Sequence, residues 1–212
     1  MFPENPALGR SQIERYYRLH ARIYDFTRWT FLKGREELIR RAAGQCTPHH
    51  ILEVGCGTGK NLLHLGRLFP EAQLWGLDLS QHMLLRARRK LRDLRHRLTL
   101  IQASYDRPAA PGKFDLVVFS YALSMFNPGW DTALQAAAGD LSPEGVIAVV
   151  DFHDSALNGF KQWMGLNHVR LDSHLLPRLR DLFPSWEWTV RPAYCGLWSF
   201  FFFIGRDAKI RK

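Results

Sequence analysis

The sequence predicts an α/β protein built on a doubly wound, seven-stranded and mostly parallel sheet. Apolar strand-like runs alternate with helical segments between His50 and Phe152, a pattern typical of parallel sheets covered on both faces. A glycine-rich turn, 55–59, stands between a buried strand and a helix. Two β-rich stretches close the chain and are too near each other for a crossover helix. We therefore expect them to form a C-terminal antiparallel hairpin at one sheet edge.

The predicted elements form one domain, 1–212, with N-terminal helices in a cap, 1–45, and a core, 46–212. In the cap, apolar residues recur at helical spacing from Ser11, and Gly34 is expected to separate two helices. Ser11 and Glu14 predict a capping box at the start of the first helix. The core is predicted to contain strands at 50–55, 73–78, 98–102, 114–119, 145–152, 186–191 and 197–204, and helices at 58–69, from Ser80, from Asn127-Pro128, at 156–166 and at 172–182.

The chain is strongly basic. Its 212 residues include 29 Lys and Arg against 20 Asp and Glu, a net charge of +9. Such a balance favours an anionic partner, either nucleic acid or an anionic membrane surface. This excess is interpreted either as a solvated helix face or as a docking surface. Much of it lies in one stretch, the basic segment: Arg86, Arg88, Arg89, Lys90, Arg92, Arg95 and Arg97.

Cysteine usage and hydropathy indicate the compartment. Three widely spaced cysteines, Cys46, Cys56 and Cys195, form neither a disulfide framework nor a metal pair, so a reducing cytoplasm is expected. The N-terminus is neither basic nor apolar enough for a signal peptide. The longest apolar run, Leu197 to Ile204, is far short of the about 20 residues that span a bilayer. We therefore expect a cytoplasmic protein that does not cross the membrane.

The stretch Glu53-Val54-Gly55-Cys56-Gly57-Thr58-Gly59, answered by Asp78 after the second strand, predicts a site for a nucleotide-like cofactor. Glycines let the backbone approach the ligand, and Asp78 can accept hydrogen bonds from ribose hydroxyls. The third glycine comes one residue early for a dinucleotide fingerprint, and Val54 replaces the first glycine of a P-loop. Glu53 would repel a pyrophosphate but suits a cationic ligand. The pattern resembles motif I of the class I S-adenosylmethionine methyltransferases, which have a Rossmann-like fold.

That resemblance implies S-adenosylmethionine as the cofactor, bound at the carboxyl ends of the strands. The adenine is expected beside Leu79, Met83 and the pair Ala103-Ser104, although Leu79 and Met83 are also ordinary packing residues. Strand four is expected to end beside the sulfonium, at 119–121. The predicted cofactor contacts are Tyr24, Arg28, Glu53, Gly55, Cys56, Gly57, Thr58, Gly59, Asn61, Asp78, Leu79, Met83, Ala103, Ser104 and Ser120.

The acceptor of the methyl group is less directly indicated. Methyl transfer from a sulfonium is an in-line displacement, so alignment and desolvation carry most of the catalysis. Strand four lacks the Asn/Asp-Pro-Pro-aromatic tetrad common in methylation of exocyclic amines of DNA bases. His153 is interpreted either as a group that accepts a proton or orients the substrate, or as a structural residue. A magnesium site of Asp151, His153 and Asp154 lacks a further ligand, so no metal is expected.

Two blocks point to a subgroup. His20-Ala21-Arg22-Ile23-Tyr24-Asp25-Phe26-Thr27-Arg28-Trp29 and Asn167-His168-Val169-Arg170 resemble the BtaB-type N-methyltransferases of bacterial betaine-lipid synthesis. That resemblance implies three methylations of the amine of diacylglycerylhomoserine, giving diacylglyceryl-N,N,N-trimethylhomoserine. A separate homoserine-transferring enzyme is then expected as a pathway partner. At Ser173 and Cys195 the subgroup more often has glycine, so these loops are expected to differ in shape.

The same resemblance assigns roles to residues. It implies that Tyr24 approaches the methionine carboxylate or the sulfonium and that Arg28 pairs with that carboxylate. Candidates for the acceptor headgroup are His153, Asn167, His168 and Arg170, with Arg170 suited to a carboxylate or, equally, a plain surface residue. The predicted catalytic residues are Tyr24, Tyr121, His153 and His168.

A lipid acceptor would place the protein on the inner face of the membrane, where the basic segment would meet anionic headgroups. No nucleic-acid partner is expected. The other interpretations are a phosphatidylethanolamine N-methyltransferase, an RNA or small-molecule methyltransferase, and a non-catalytic subunit that binds S-adenosylmethionine. Binding to RNA but not to liposomes would favour the RNA interpretation.

Overall fold

The structure is a computed structural model, and it describes residues 32–209. In this part of the chain seven strands form one sheet in the order β3-β2-β1-β4-β5-β7-β6. β1 to β5 are parallel, and β7 lies antiparallel between β5 and β6. The predicted doubly wound sheet and its C-terminal antiparallel hairpin are confirmed. The strands are β1 His50–Val54, β2 Gln73–Asp78, β3 Leu98–Gln102, β4 Phe114–Ser120, β5 Leu141–Phe152, β6 Ser185–Ala193 and β7 Trp198–Arg206.

The helices of the described chain are α1 Arg35–Ala43, α2 Lys60–Leu68, α3 Gln81–Lys90, α4 Trp130–Asp140, α5 Asn158–Leu166 and α6 Leu175–Leu182. Gly34, with φ 81°, precedes α1, as the predicted break requires. The helix predicted from Ser11, with its capping box, lies outside the described residues. Between residues 32 and 209, every helix is too short or too polar to cross a bilayer.

Side chains of β4 alternate between two cores, one on each face of the sheet. Leu116 and Val118 pack in the core that contains α1, α2 and α3. Val117 and Phe119 pack in the core that contains α4 and α6. Burial on both faces explains why 116–119 of β4 form an uninterrupted apolar run. β1 and β4 are neighbours in the middle of the sheet, where the strand order reverses, and ligands bind at that point in such sheets.

β5 differs from its predicted extent. It begins at Leu141 rather than at residue 145. Leu141 pairs with Phe114, and the register then shifts before Leu116 pairs with Val146. The Ser-Pro-Glu-Gly stretch is therefore an irregular part of the strand, which the turn-forming composition alone did not indicate.

The basic segment is not one helix face. α3 ends at Lys90, and Arg92–Arg97 form a separate 3₁₀ turn. Arg97 is buried, and its guanidinium donates to the carbonyls of Phe69 at 3.0 Å and Ala72 at 2.8 Å, and also to that of Gly66. These carbonyls follow or end α2, so Arg97 fixes the end of that helix. The interpretation of all seven basic residues as a docking surface is therefore wrong for Arg97.

Candidate active site

The glycine turn joins β1 to α2 and is fastened to the end of β2. The amides of Gly55 and Cys56 donate to the Leu77 carbonyl at 2.8 and 3.0 Å. The amide of Gly57 donates to Asp78 Oδ2 at 2.8 Å. The ends of two neighbouring parallel strands are thereby held in one rigid cradle.

Left-handed backbone explains why this turn is built from glycine. Gly55, Gly57 and Gly59 have φ values of 70°, 55° and 75°, which side chains with a Cβ adopt only at a cost. A Cβ on Gly55 would lie 2.8 Å from Ala122, and one on Gly59 would lie 2.7 Å from Leu91. At Gly57 it would meet no atom of the described chain within 4 Å. Gly57 is therefore where a ligand can approach the turn.

Asp78 connects this turn to the start of α3. Its Oδ2 accepts from the Gly57 amide and its Oδ1 accepts from the Ser80 amide, both at 2.8 Å. Ser80 in turn caps α3 by accepting from the Met83 amide at 3.4 Å. The half-buried Asp78 lies beside the open Gly57, so its carboxylate is placed to accept ribose hydroxyls.

Glu53 is buried directly before the turn. Its Oε1 accepts from Asn61 Nδ2 at 2.8 Å. Burial raises the pKa of Glu53 to about 8, although Asn61 and Arg35 favour the carboxylate. Within residues 32–209, Glu53 Oε2 and Asn61 Oδ1 are buried without a hydrogen-bond partner. Two such acceptors fit a cationic donor, and the ammonium of S-adenosylmethionine is one.

The predicted adenine contacts lie around Asp78. Leu79 is exposed, and the Ala103 amide donates to the Asp78 carbonyl at 3.3 Å, which brings the end of β3 next to β2. Ser104 is exposed, and its hydroxyl donates to Asp106 at 3.0 Å. Met83 is buried in α3. Leu79, Ala103 and Ser104 therefore share one edge with the ribose acceptor, while Met83 packs beneath it.

Two further residues of the turn have contacts of their own. The Thr58 hydroxyl accepts from Lys90 Nζ at 3.1 Å, which ties one cation of the basic segment to the cradle. Cys56 is buried, and burial raises the pKa of its thiol well above the ordinary range. Cys56 therefore fills space as a neutral thiol.

Tyr121 follows β4 in left-handed backbone, with φ 54°. It is fully buried, and its hydroxyl donates to the Lys33 carbonyl at 2.8 Å. Burial raises the pKa of this hydroxyl well above its ordinary value. As placed, Tyr121 fixes the start of the described chain at the carboxyl edge of the sheet, and its catalytic role stays a prediction. The neighbouring Ser120 is buried, and its hydroxyl has no hydrogen-bond partner in the described chain.

β5 ends in two ionisable residues with different surroundings. Asp151 is fully buried and accepts from the amides of Ser124 at 3.2 Å and Phe152 at 2.8 Å; burial raises its pKa to about 6. His153 is half-buried, and burial lowers its pKa. Its Nδ1 is buried without a hydrogen-bond partner among residues 32–209. A neutral imidazole with an uncommitted nitrogen fits a proton acceptor.

The same residues do not support the magnesium alternative. Asp154 binds Lys161 Nζ at 2.5 Å, and Asp151 is committed to backbone amides. In the part of the chain that the structure describes, no group of three or more His, Cys, Asp or Glu side chains is arranged to hold a metal ion.

A groove of about 610 Å³ opens between the start of α4 and the segment that follows α5, lined by 127–132, Gly165 and 168–170. Its two walls meet at Ser124, whose carbonyl accepts from Asn127 Nδ2 at 2.7 Å and from the Arg170 amide at 2.8 Å. The Ser124 amide donates to Asp151 at the end of β5. The groove is therefore anchored at the same edge of the sheet as the glycine turn.

One wall of the groove carries a chain of polar contacts. Arg170 Nε donates to Asp172 Oδ2 at 2.7 Å, and Asp172 Oδ1 binds Nδ1 of His174. The His174 ring lies edge-on to Trp130, with ring centroids 4.7 Å apart, and Trp130 lines the groove. Sequence reasoning missed Asp172 and Trp130. The only available signal was Asp172 standing two residues from both Arg170 and His174.

The other predicted headgroup residues are divided by the structure. His168 is exposed, lines the groove and has φ 61°. Asn167 donates from Nδ2 to the Trp163 carbonyl at 2.8 Å and ends α5, so its amide supports the helix. Tyr24 and Arg28 lie outside the described residues. Of the four headgroup candidates, the structure therefore brings His168 and Arg170 together at the groove.

Comparison with known proteins agrees with this geometry. Residues 51–145 match a family model described as a methyltransferase domain. Over this segment the chain is similar to methyltransferases. The match covers β1 to the start of β5 and contains the glycine turn, Glu53 and Asp78. The prediction of S-adenosylmethionine as the cofactor is confirmed by this match and by the solved structures described below.

Curated relatives match the chain over about half of their length or less. A malonyl-[acyl-carrier protein] O-methyltransferase of Magnetococcus marinus is 35% identical over 143 residues, 64% of this chain and 51% of the relative. A trans-aconitate 2-methyltransferase of Rhodopseudomonas palustris is 35% identical over 102 residues, 48% of this chain and 38% of the relative. These names support a methyltransferase and do not bear out N-methylation or betaine-lipid synthesis.

Solved structures show the fold. A Burkholderia thailandensis 1,6-didemethyltoxoflavin-N1-methyltransferase superposes with a TM-score of 0.73 at 14% identity, over 99% of this chain and 93% of the other. A Haemonchus contortus phosphoethanolamine N-methyltransferase 2 gives a TM-score of 0.70 at 15% identity, over 84% of this chain and 53% of the other. The Rossmann-like class I methyltransferase fold is confirmed.

Proposed function

We propose that this protein is an N-methyltransferase that moves methyl groups from S-adenosylmethionine to a lipid amine at a membrane surface. The leading acceptor is diacylglycerylhomoserine, supplied by a separate homoserine-transferring enzyme, and phosphatidylethanolamine is the next. The resemblance of the Asn167-His168-Val169-Arg170 block supports the first acceptor. The observation that carries a lipid acceptor is the exposed face of α5.

α5 presents an apolar stripe to solvent. Trp163 and Leu166 are 49% and 80% exposed, and their spacing of three residues places them on one side of the helix. Leu157, at the N-cap, is 54% exposed. Met164 is the buried residue of this helix. A pair of large apolar side chains exposed to solvent suits the headgroup region of a bilayer. Gly165, next to Leu166 in the chain, lines the groove, so a lipid in contact with Leu166 would have its headgroup near the groove.

The chain's residues divide the work of such a reaction. S-adenosylmethionine, when bound, supplies the methyl group on its sulfonium. Asp78 would hold the ribose, and Glu53 with Asn61 would hold the ammonium, so that the cofactor is fixed relative to the groove. Alignment and exclusion of water are the main contributions that a protein makes to this displacement.

The acceptor amine must lose a proton before it can attack. His153 suits this step because burial lowers its pKa and leaves its Nδ1 without a partner in the described chain. It follows β5 directly, and its carbonyl accepts from the Ser173 amide at 2.8 Å near the groove wall. We propose His153 as the proton acceptor, with His168 orienting the headgroup.

O-methylation of a carboxylate is the second candidate. It is favoured by the names of the curated relatives, since malonyl and aconitate both denote carboxylic acids. A carboxylate is already ionised near pH 7 and needs no proton acceptor. Substitution of His153 should then leave O-methylation unchanged, whereas it should reduce N-methylation. A His153 variant therefore distinguishes the two candidates.

The test is mass spectrometry of lipids from an expression host that makes this protein with or without a homoserine-transferring enzyme. A trimethylated homoserine lipid that appears only with both proteins is the expected result. Asp78→Ala is the control and should give none. Methylated phosphatidylethanolamine with this protein alone would favour phosphatidylethanolamine as the acceptor. Methyl transfer to malonyl-[acyl-carrier protein] or trans-aconitate by the purified protein, with no methylated lipid in the host, would overturn the proposal.

The stripe makes a separate prediction about membrane binding. Trp163→Gln with Leu166→Gln should lower binding to anionic vesicles by about tenfold, because two partly buried apolar side chains are lost from the bilayer. Flotation with vesicles measures this. Arg88→Glu with Arg89→Glu is the comparison, since both residues are exposed in α3. Loss of flotation in this pair alone would assign docking to the basic segment instead.

A further inference from the structure

We infer that Arg170 is the anchor for a carboxylate group on the acceptor, bound in the groove between α4 and the segment after α5. The inference rests on the proposed function only in taking this groove as the acceptor site. The carboxylate meant here is not the atom group that receives the methyl. It is the group by which the protein recognises and orients the molecule.

The first step is the guanidinium itself. Arg170 is 45% exposed and lines the groove. Its Nε donates to Asp172 Oδ2 at 2.7 Å, and its two Nη groups make no hydrogen bond or ion pair with residues 32–209. The four N–H donors on the two Nη atoms therefore remain for a ligand. A pair of parallel N–H groups matches the two oxygens of one carboxylate.

The second step is the bracing of that guanidinium. Asp172 accepts from Arg170 with one oxygen and binds His174 with the other. The His174 side chain is only 9% exposed and packs edge-on against Trp130, which lines the opposite wall of the groove. The Arg170 amide is itself bonded to Ser124. Arg170 is thus held by both its backbone and its side chain, so little rotamer freedom is left to lose on binding.

The third step is the charge inside the groove. Asp131 also lines it, but its carboxylate binds Arg178 Nε at 2.6 Å. Asp172 is shared between Arg170 and His174. Asp131 and Asp172 are therefore both paired with a cation, so the Nη groups of Arg170 meet no unpaired carboxylate among the residues that line the groove. Asp172 and His174 are positioning residues for Arg170.

The source of the carboxylate can be a lipid headgroup or a small free acid. The apolar stripe beside Gly165 favours a carboxylate that carries an alkyl chain. Three soluble probes separate these cases: O-octyl homoserine, its methyl ester, which lacks the negative charge, and malonate. Octyl phosphate tests whether a carboxylate is preferred over another anion.

The experiment is calorimetric binding of each probe to the full chain saturated with S-adenosylhomocysteine. O-octyl homoserine should bind with at least about tenfold higher affinity than its ester, because a charge-assisted pair of hydrogen bonds is lost in the ester. Arg170→Met should abolish this ratio, Arg170→Lys should keep part of it, and Asp172→Asn should give an intermediate ratio. Tighter binding of octyl homoserine than of malonate identifies a lipid-borne carboxylate, and the reverse identifies a free acid.

Arg180→Met is the matched control. It removes the same charge from α6, where Arg180 lies over the rings of Trp186 and Trp188 at 4.7 and 5.8 Å, and it should leave the ratio unchanged. Unchanged affinity for S-adenosylhomocysteine shows that each variant is folded. The inference is overturned if Arg170→Met keeps the ratio, if no carboxylate probe binds, or if octyl phosphate binds as tightly as octyl homoserine. Because the readout is binding, it stands or falls separately from lipid-amine methylation.

Discussion

The carboxyl end of the sheet holds two sites that are built in opposite ways. The cofactor cradle, formed by Glu53, 55–59 and Asp78, consists of backbone and two carboxylates at the ends of neighbouring strands. The groove is formed by residues 127–132, Gly165 and 168–170, which are far apart in the sequence and are joined through Ser124. The family match, residues 51–145, covers the first completely and only one wall of the second. Recognition of a shared cofactor and recognition of an individual acceptor are thus separated along the chain.

Backbone strain follows the same division. Before Phe114, the residues with positive φ in the described chain are all glycines: Gly34, Gly55, Gly57, Gly59 and Gly112. After it, this conformation is adopted by Gly129 and Gly196 and also by non-glycine residues: Tyr121, His168, Ser173, Tyr194, Cys195 and Asp207. Such residues cost of order 1 kcal/mol each and tend to occur at functional sites. The part of the chain after Phe114, which contains the groove, therefore contains strained non-glycine residues. The part before Phe114, which contains the cofactor cradle, uses glycine at its left-handed positions.

The largest expected effect concerns cofactor binding in the cradle. Asp78→Ala should weaken S-adenosylmethionine binding by about 100-fold or more, because the ribose acceptor and the bond to the Gly57 amide are lost together. Calorimetry measures the affinity. Asp78→Asn keeps one acceptor oxygen and should lose less. Asp93→Ala, an exposed carboxylate in the basic segment, controls for net charge. Equal affinities for wild type and Asp78→Ala would remove Asp78 from the site.

The same division explains what the sequence could predict. The cradle needs glycine at left-handed positions and an acid at a strand end, and both are visible as residue types at fixed spacing. The contact of Asp172 with Arg170 and His174 was not predictable, because a short polar loop has no periodicity that fixes its shape. Arg97 was misread for a related reason: its burial depends on the unpaired carbonyls at the end of α2, which charge counting does not detect.

An intermediate effect concerns pH and sharpens the role of Glu53. Burial raises the pKa of Glu53 to about 8, so at pH 7 most of this carboxyl is protonated. A cationic cofactor favours the carboxylate, and binding should release a proton. The affinity should therefore fall about tenfold for each pH unit below 8. Calorimetry in buffers with different ionisation enthalpies measures the released proton.

Glu53→Gln is the control for this titration. It should bind the cofactor more weakly at pH 8 and show no proton release at any pH. In the cofactor-free protein, the pKa of Glu53 lies above the ordinary value of 4.5, so the unfolded chain ionises first as the pH rises. The free energy of unfolding should then decrease from pH 4.5 to about 8 and level off. Relative to wild type, Glu53→Gln should gain stability over this same window. A constant difference between the two proteins would contradict the assignment.

The smallest expected effect concerns a residue with strained backbone after Phe114. Cys195 is exposed and has φ 56°. Cys195→Gly should raise the free energy of unfolding by about 0.5 kcal/mol, since relief of the left-handed strain slightly exceeds the added freedom of the unfolded chain. Cys195→Ala retains the Cβ and should gain nothing. Urea unfolding of the three proteins decides it, and a glycine variant no more stable than the alanine variant would show that the loop is not strained at this residue.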